Sequence, residues 1–504
     1  MSGCDKYNKY VEILGNVDAI IYSNNDPLAL STIATIAKQS ADLGRTPIIY
    51  DLKAVLYGMP DTFAPSILKI VRKKPPEHIF RNWISEQNYE VRKIDYFKVD
   101  ANDFGVDQQI LDQLNDSIFS ALVTFTRNHD PNIKKRSIRN AKQKLFFEGV
   151  SVFKFLDLEF ANMSGELRVF VPNGRFPHQR MAIESAKKNN AKTFIFERGE
   201  EPETFFLQEY TTQDRIQTQL HANDLTAGMS NLEVESAAKR WMLKRRGKNA
   251  TNEYGIIWDD QDQEIDLGDK PLGIFTSSQD EFLNLGPDFQ HHLWTDQLEA
   301  IESVVKLAYK RGYTPFVRIH PNLTNKAHSF YKKEMTGINR LQANFPDMSI
   351  FMHDSKMSTY RLLTKCCSCF VWDSTVGLEA SAMGIPVHTL AMSRYGELSD
   401  IRQVFSPEDL SKSEFEWQVD TAGAKRYMAY LMCRDFEIKF GTSMWKDWDS
   451  NREPIYVRIS RIFYSGGAHS VVQSIISIFD SYRHRNNSAK FNALKKSPYI
   501  AKFK

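Results

Sequence analysis

The sequence predicts an α/β protein of two domains, each built on a mostly parallel sheet covered by helices on both faces. Three observations lead there. A chain of 504 residues exceeds what one hydrophobic core ordinarily organises, so two domains are expected. In each half, short apolar runs alternate with helical patterns, and near-continuous apolar runs are the mark of strands buried on both faces. Glycines such as Gly44, Gly312 and Gly384 fall where helical patterns stop, which separates one element from the next.

The first half opens with an apolar run over residues 18–23, a helical pattern over 27–43, the stop at Gly44 and a second run over 46–51. Strand, helix and strand in that order make a βαβ unit with parallel strands. The pattern returns as a strand over 166–172, a helix over 177–190 and a strand over 192–197; the stretch 60–160 is mixed and largely helical. Residues 249–269 are polar and contain the acidic run 259–264, which places a linker there.

The second half gives strands over 272–276, 314–319, 349–352, 369–372 and 386–390. Helices over 294–310, 358–364 and 376–383 alternate with them. A last helix is expected over 468–482, where the chain could cross back to the first domain. The expected division is therefore 1–250, a linker at 251–270, a second domain over 271–465 and a terminal segment over 466–504.

Composition narrows the function. The chain is 42% hydrophobic and 25% charged, the balance of a folded globular protein. Its formal net charge of +3 lacks the basic excess of a protein that coats nucleic acid, so no nucleic-acid partner is expected. Five cysteines, three of them at Cys366, Cys367 and Cys369, are odd in number and irregular in spacing. They fit neither a disulfide framework nor paired zinc ligands, and read as thiols beside a core strand. No apolar signal segment opens the sequence, and no stretch approaches the ~18 apolar residues of a membrane span. A cytoplasmic location is expected. The tail carries Arg485, Lys490, Lys495, Lys496, Lys502 and Lys504 without an acidic residue. It reads as a solvated terminus, or as a peripheral contact with anionic lipid heads worth ~1 kcal/mol per basic residue.

Three segments carry chemistry. In residues 370–386 a strand ends at Trp372 and small polar residues meet the start of a helix. The first amides of a helix lack partners and its positive pole lies there, an arrangement suited to phosphate. Ser374 and Thr375 add hydroxyls, Gly377 would let a ligand approach the backbone, and Glu379, one turn on, could accept from ribose hydroxyls. The plain alternative is an N-cap on an ordinary helix. In residues 316–322, Arg318 and His320 alternate at a strand end and should leave one face. An imidazolium at His320 could neutralise a leaving phosphate. Ser277, Ser278 and Gln279 follow the first strand of this half and suit phosphate or sugar contacts. In an open parallel sheet, the carboxyl edge of the strands is where ligands bind.

These residues resemble the donor-binding half of GT-B glycosyltransferases, and more narrowly bacterial capsule and surface-polysaccharide biosynthesis proteins, including Kdo- and sialic-acid-transferring types. The resemblance covers residues 270–400 well and reaches weakly to 171–175 and 196–199. It implies two Rossmann-like domains facing a central cleft, with His320, Ser374 and Thr375 on the donor nucleotide and Glu379 at its ribose or base. It also implies a nucleotide-sugar co-substrate with no cofactor or catalytic metal, and a glycan or glycolipid acceptor. Asn173, Gly174 and Arg175 would then serve the acceptor side. Glu197 is the expected general base, or the nucleophile if configuration is retained; Asp26 is its rival. Two other readings share the pattern: a nucleotide-sugar 2-epimerase, and a non-catalytic nucleotide-sugar-binding component of a polysaccharide assembly complex.

Overall fold

The computed structural model describes residues 11–23, 27–52, 76–95, 105–126, 130–201, 203–211, 214–246, 265–278, 289, 293–325 and 328–439. The expected terminal helix, the basic tail, the acidic run, Asp26 and Gln279 lie outside these residues. The chain forms two units, one on Asp5–Thr212 together with the stretch from Asp435, the other on Gln213–Arg434.

In the first unit, β1 (Ala19–Tyr22), α1 (Pro27–Asp42) and β2 (Ile48–Asp51) make the anticipated βαβ unit, its strands paired in parallel. Then follow α2 (Pro76–Glu86), β3 (Val91–Lys93) and two long helices, α3 (Gln108–Thr126) and α4 (Arg136–Ala161). After β4 (Arg168–Pro172) come α5 (Pro177–Lys188), β5 (Lys192–Arg198) and β6 (Thr204–Gln208). Proline at the start of α5 and Lys187 with Lys188 in its last turn suit the two ends of that helix. The sheet runs β3-β2-β1-β4-β5-β6, parallel except for β6. Ile20, Ile21 and Phe170 are fully buried, as strands covered on both faces require.

The second unit begins with two helices, α6 (Arg215–Thr226) and α7 (Asn231–Arg246). Its sheet elements are β7 (Pro271–Phe275), α8 (Gln297–Lys310), β8 (Thr314–Arg318), α9 (His328–Asn344) and β9 (Ser349–Phe351). They continue through α10 (Thr359–Leu363), β10 (Ser368–Val371), α11 (Thr375–Ala382), β11 (Val387–Thr389) and β12 (Ile401–Gln403). Two further helices, α12 (Pro407–Lys412) and α13 (Ala422–Cys433), complete it. The six strands are all parallel in the order β9-β8-β7-β10-β11-β12. That is the doubly wound order of a Rossmann sheet, which reverses direction between β7 and β10. Each unit is thus Rossmann-like, the fold class the sequence predicts.

Why α8 starts where it does is local: Asp296 accepts from the Glu299 amide at 2.9 Å, and Ala300, Ile301, Val304, Val305 and Ala308 form its buried stripe. Cys369 is buried in β10, and burial raises the thiol pKa of both Cys366 and Cys369. His388, in β11, is fully buried with its ring stacked on Phe370 at 4.2 Å, and its Nε2–H donates to the Glu414 carbonyl at 2.9 Å. No helix among the described residues is long and apolar enough to cross a membrane.

The domain boundary differs from the expected residue 250. Helices α6 and α7 belong to the second unit, because Ala222, Ala238 and Trp241 share a core with Tyr427, Met428 and Tyr430 of α13. Ile265 and Leu267, placed in the expected linker, also pack there. After α13 the chain returns to the first sheet as β13 (Phe436–Glu437), antiparallel to β6. The Asp435 carboxylate accepts from the amides of Glu200 and Glu201 and, at 2.9 Å, from the Thr204 hydroxyl, which pins the return.

Candidate functional site

In the second unit, β10, β7 and β8 are adjacent and parallel, so their carboxyl ends share one edge beside the reversal point. Hydrogen bonds join the turns that follow them. The His320 amide donates to the Thr276 hydroxyl at 2.7 Å, and the Asp373 amide donates to the Ser277 hydroxyl at 3.2 Å. Gln297 of α8 clasps the backbone of Ser277, accepting from its amide at 2.7 Å and donating to its carbonyl at 3.2 Å. Three turns far apart in the sequence therefore form one rim. A pocket opens on it, with Thr276, Ser277, Ser278, His320 and Glu334 among its walls.

His320 is half-buried, and its Nδ1 accepts from the Asn322 amide at 3.2 Å. That bond assigns the ring proton of neutral His320 to Nε2. Arg318 takes a different place from the one expected. It is 2% exposed, and its guanidinium donates to the carbonyls of Phe351, Met352 and Ser355, so it fastens the turn after β9 to the rim. Burial lowers its pKa to about 10, and Asp354 opposes that shift; it stays cationic at neutral pH.

At the head of α11, the Ser374 side chain accepts from the Val376 amide at 3.4 Å, so Ser374 is the N-cap. Thr375 is exposed. Gly377 faces protein where a ligand was expected: a Cβ there would lie 2.6 Å from the Tyr395 oxygen and 2.9 Å from Val371. The Tyr395 hydroxyl donates to the Ser374 carbonyl, which ties the turn from behind. Glu379 is 2% exposed, and its Oε1 accepts from Arg245 at 3.1 Å and from the Tyr360 hydroxyl at 3.3 Å. Arg245, in the last turn of α7, also donates to the Thr375 hydroxyl at 3.0 Å.

In the first unit, β4 and β5 are parallel neighbours, which brings Asn173, Gly174, Arg175 and Glu197 to one edge. Asn173 and Gly174 take φ of 57° and 79°, a left-handed turn that asparagine and glycine tolerate. The Asn173 side chain donates to Glu197 and accepts from the Arg175 amide at 3.1 Å. The other Glu197 oxygen accepts from the Arg198 amide at 3.1 Å. Beside this turn, buried His178 lies 3.5 Å from Glu148.

Sequence reasoning missed Arg245, Tyr360, Asp373 and Tyr395 at the second edge, and the His178–Glu148 pair at the first. One signal for Arg245 was present: the basic run of residues 239–248. Among the described residues, no group of three or more His, Cys, Asp and Glu side chains is gathered to hold a metal ion.

Residues 290–398 match the family described as "Capsule polysaccharide biosynthesis protein". No curated protein matches the sequence. Among solved structures, the chain is similar to Thermosulfurimonas dismutans KpsC, a beta Kdo 2,7 transferase. The identity is 13%, over 54% of this chain and 78% of that one, with a TM-score of 0.34. It is also similar to the UDP-GlcNAc 2-epimerase of Neisseria meningitidis bound to UDP-GlcNAc. There the identity is 12%, over 82% of this chain and 97% of that one, with a TM-score of 0.30.

Proposed function

We propose that this protein is a glycosyltransferase of surface or capsular polysaccharide synthesis, which binds a nucleotide-activated sugar at the carboxyl edge of the second sheet. The observation that carries the reading is the rim itself. Turns after β7, β8 and β10 are hydrogen-bonded together at the reversal point, within and beside the stretch that matches the capsule family. Ligands of doubly wound sheets sit at that point, and hydroxyls with a helix head suit a phosphate.

In this reading the donor's phosphate rests at the head of α11, near Thr375. The bond from anomeric carbon to phosphate oxygen breaks, and the acceptor hydroxyl oxygen forms the new bond to that carbon. The departing phosphate keeps the electron pair, and the Nε2–H of His320 donates a hydrogen bond to it. Preorganised donors aimed at developing charge usually supply the largest catalytic term. Glu197 takes the acceptor hydroxyl's proton, while Asn173, Gly174 and Arg175 contact the acceptor, a glycan or glycolipid.

The test begins with a thermal-shift screen of CMP, CDP, UDP, GDP and their sugars, since a ligand that binds only the folded form must raise apparent stability. Incubation of the stabilising sugar nucleotide with glycan acceptors should then give a glycosylated product. Replacing His320 by Ala should lower that rate ~100-fold with the fold kept. An altered sugar formed without acceptor would identify a 2-epimerase instead. Binding without turnover would identify a non-catalytic component.

A further inference from the structure

The Arg245–Glu379 pair changes what the second-unit site should recognise. Glu379 lies one turn into α11, where a ribose-binding carboxylate was expected, yet it is 2% exposed. One of its oxygens takes both the Arg245 Nε–H at 3.1 Å and the Tyr360 hydroxyl at 3.3 Å. A carboxylate withdrawn this far from solvent persists only when donors compensate it. The guanidinium is in turn fixed from three sides. Glu379 holds Nε, the Thr375 hydroxyl accepts from Nη2 at 3.0 Å, and the Trp241 ring lies 4.6 Å from its centre. Because the Thr375 oxygen accepts from Arg245, its single O–H is left to donate elsewhere, and Thr375 is exposed. The Arg245 side chain keeps 35% of its surface accessible.

A guanidinium beside the positive pole of α11 is electrostatically unfavourable for that helix, and an approaching anion relieves the conflict. We infer that Arg245 supplies the cation of the phosphate site and that Glu379 is a positioning residue which aims it, with no contact to the ribose. The inference rests on the proposed donor site and deepens it. Affinity for the ligand is then set by its phosphate charge and is indifferent to the ribose hydroxyls.

The test is calorimetric titration of the full chain with whichever of CMP, CDP, UDP and GDP binds it, with the 2′-deoxy form of that nucleotide, and with inorganic pyrophosphate. Arg245→Ala should weaken all three at least ten-fold, and Glu379→Gln should weaken them to a similar extent. The double variant should be no weaker than Arg245→Ala alone, because both changes remove one device. Arg245→Lys, which keeps the charge but cannot bridge, should recover part of the loss. Thermal melts without ligand identify any variant that fails to fold, in which case Arg245→Lys and Glu379→Asp carry the comparison. Loss of ribose-over-deoxyribose preference in the Glu379 variant, with Arg245→Ala within two-fold of wild type, would overturn the inference and leave the donor site standing. If no nucleotide and no pyrophosphate binds the wild-type chain, the donor site itself is wrong and this inference falls with it.

Discussion

The backbone amide of His320 and the side-chain hydroxyl of Thr276 are 2.7 Å apart, a bond that couples the turn after β8 to the turn after β7. Thr276 is 7% exposed, so the amide is shielded from water on that side. Thr276→Val keeps the shape and removes the acceptor. A buried donor left without its partner costs ~1–3 kcal/mol, which urea denaturation should detect in the second unit. Nucleotide affinity should fall as His320 moves, and Thr276→Ser should restore both quantities.

Glu197→Gln should lower turnover ~100-fold or more, in the range of general acid–base catalysis, while donor affinity is unchanged. The replacement amide has one accepting oxygen and keeps one of the two bonds, from Asn173 or from the Arg198 amide, so a thermal melt should accompany the assay to show that the first unit stays folded. A wild-type rate in a steady-state assay would remove Glu197 from the reaction.

Gly377 marks a contact within the protein. A methyl group there must displace Tyr395 and Val371, which lie 2.6 and 2.9 Å from the added carbon. Gly377→Ala should therefore destabilise the second unit by ~1–3 kcal/mol, the usual cost of overpacking. Tyr395→Phe removes the nearest obstructing atom, so the same change made in that background should cost less. Equal costs in a double-mutant cycle would refute the account.

His388 makes stability depend on pH. Burial lowers its pKa from 6.5 to about 3, so the folded protein keeps the imidazole neutral where the unfolded chain binds a proton. Stability attributable to this group is therefore complete above about pH 6.5 and declines as pH falls toward 3. The slope is at most ~1.4 kcal/mol per pH unit. His388→Gln can still donate to Glu414 but does not titrate, and it should flatten the denaturation midpoint between pH 6.5 and 4.

Much of the architecture was readable from local pattern. Buried strands such as β1 and β10 are short apolar runs, and glycine stops such as Gly44 and Gly312 framed their helices. The short edge strand β12 was not, because three residues with Arg402 and Gln403 half-exposed carry no apolar run. The boundary near residue 212 was hidden for another reason. Helices α6 and α7 are covalently continuous with one sheet and packed against α13 of the other unit, and sequence order reports only the first fact. For the site, strand ends predicted which turns would meet, since parallel neighbours put their carboxyl ends on one edge. Side-chain partners were not predicted. Arg318 could have faced a ligand or the carbonyls after β9, and only packing decides that. Glu379 required a partner from α7, more than a hundred residues earlier in the sequence.

The short return at Phe436–Glu437 has a consequence for synthesis on the ribosome. The first sheet's other strands are complete once Gln208 is made, but the edge bonded to Asp435 and Phe436 must wait for the whole second unit. At ~5–20 residues per second that wait is ~10–50 s, during which β6 is an uncovered edge open to a wrong neighbour. A nascent chain released before Asp435 would keep that edge bare, and such fragments should self-associate more than the full chain.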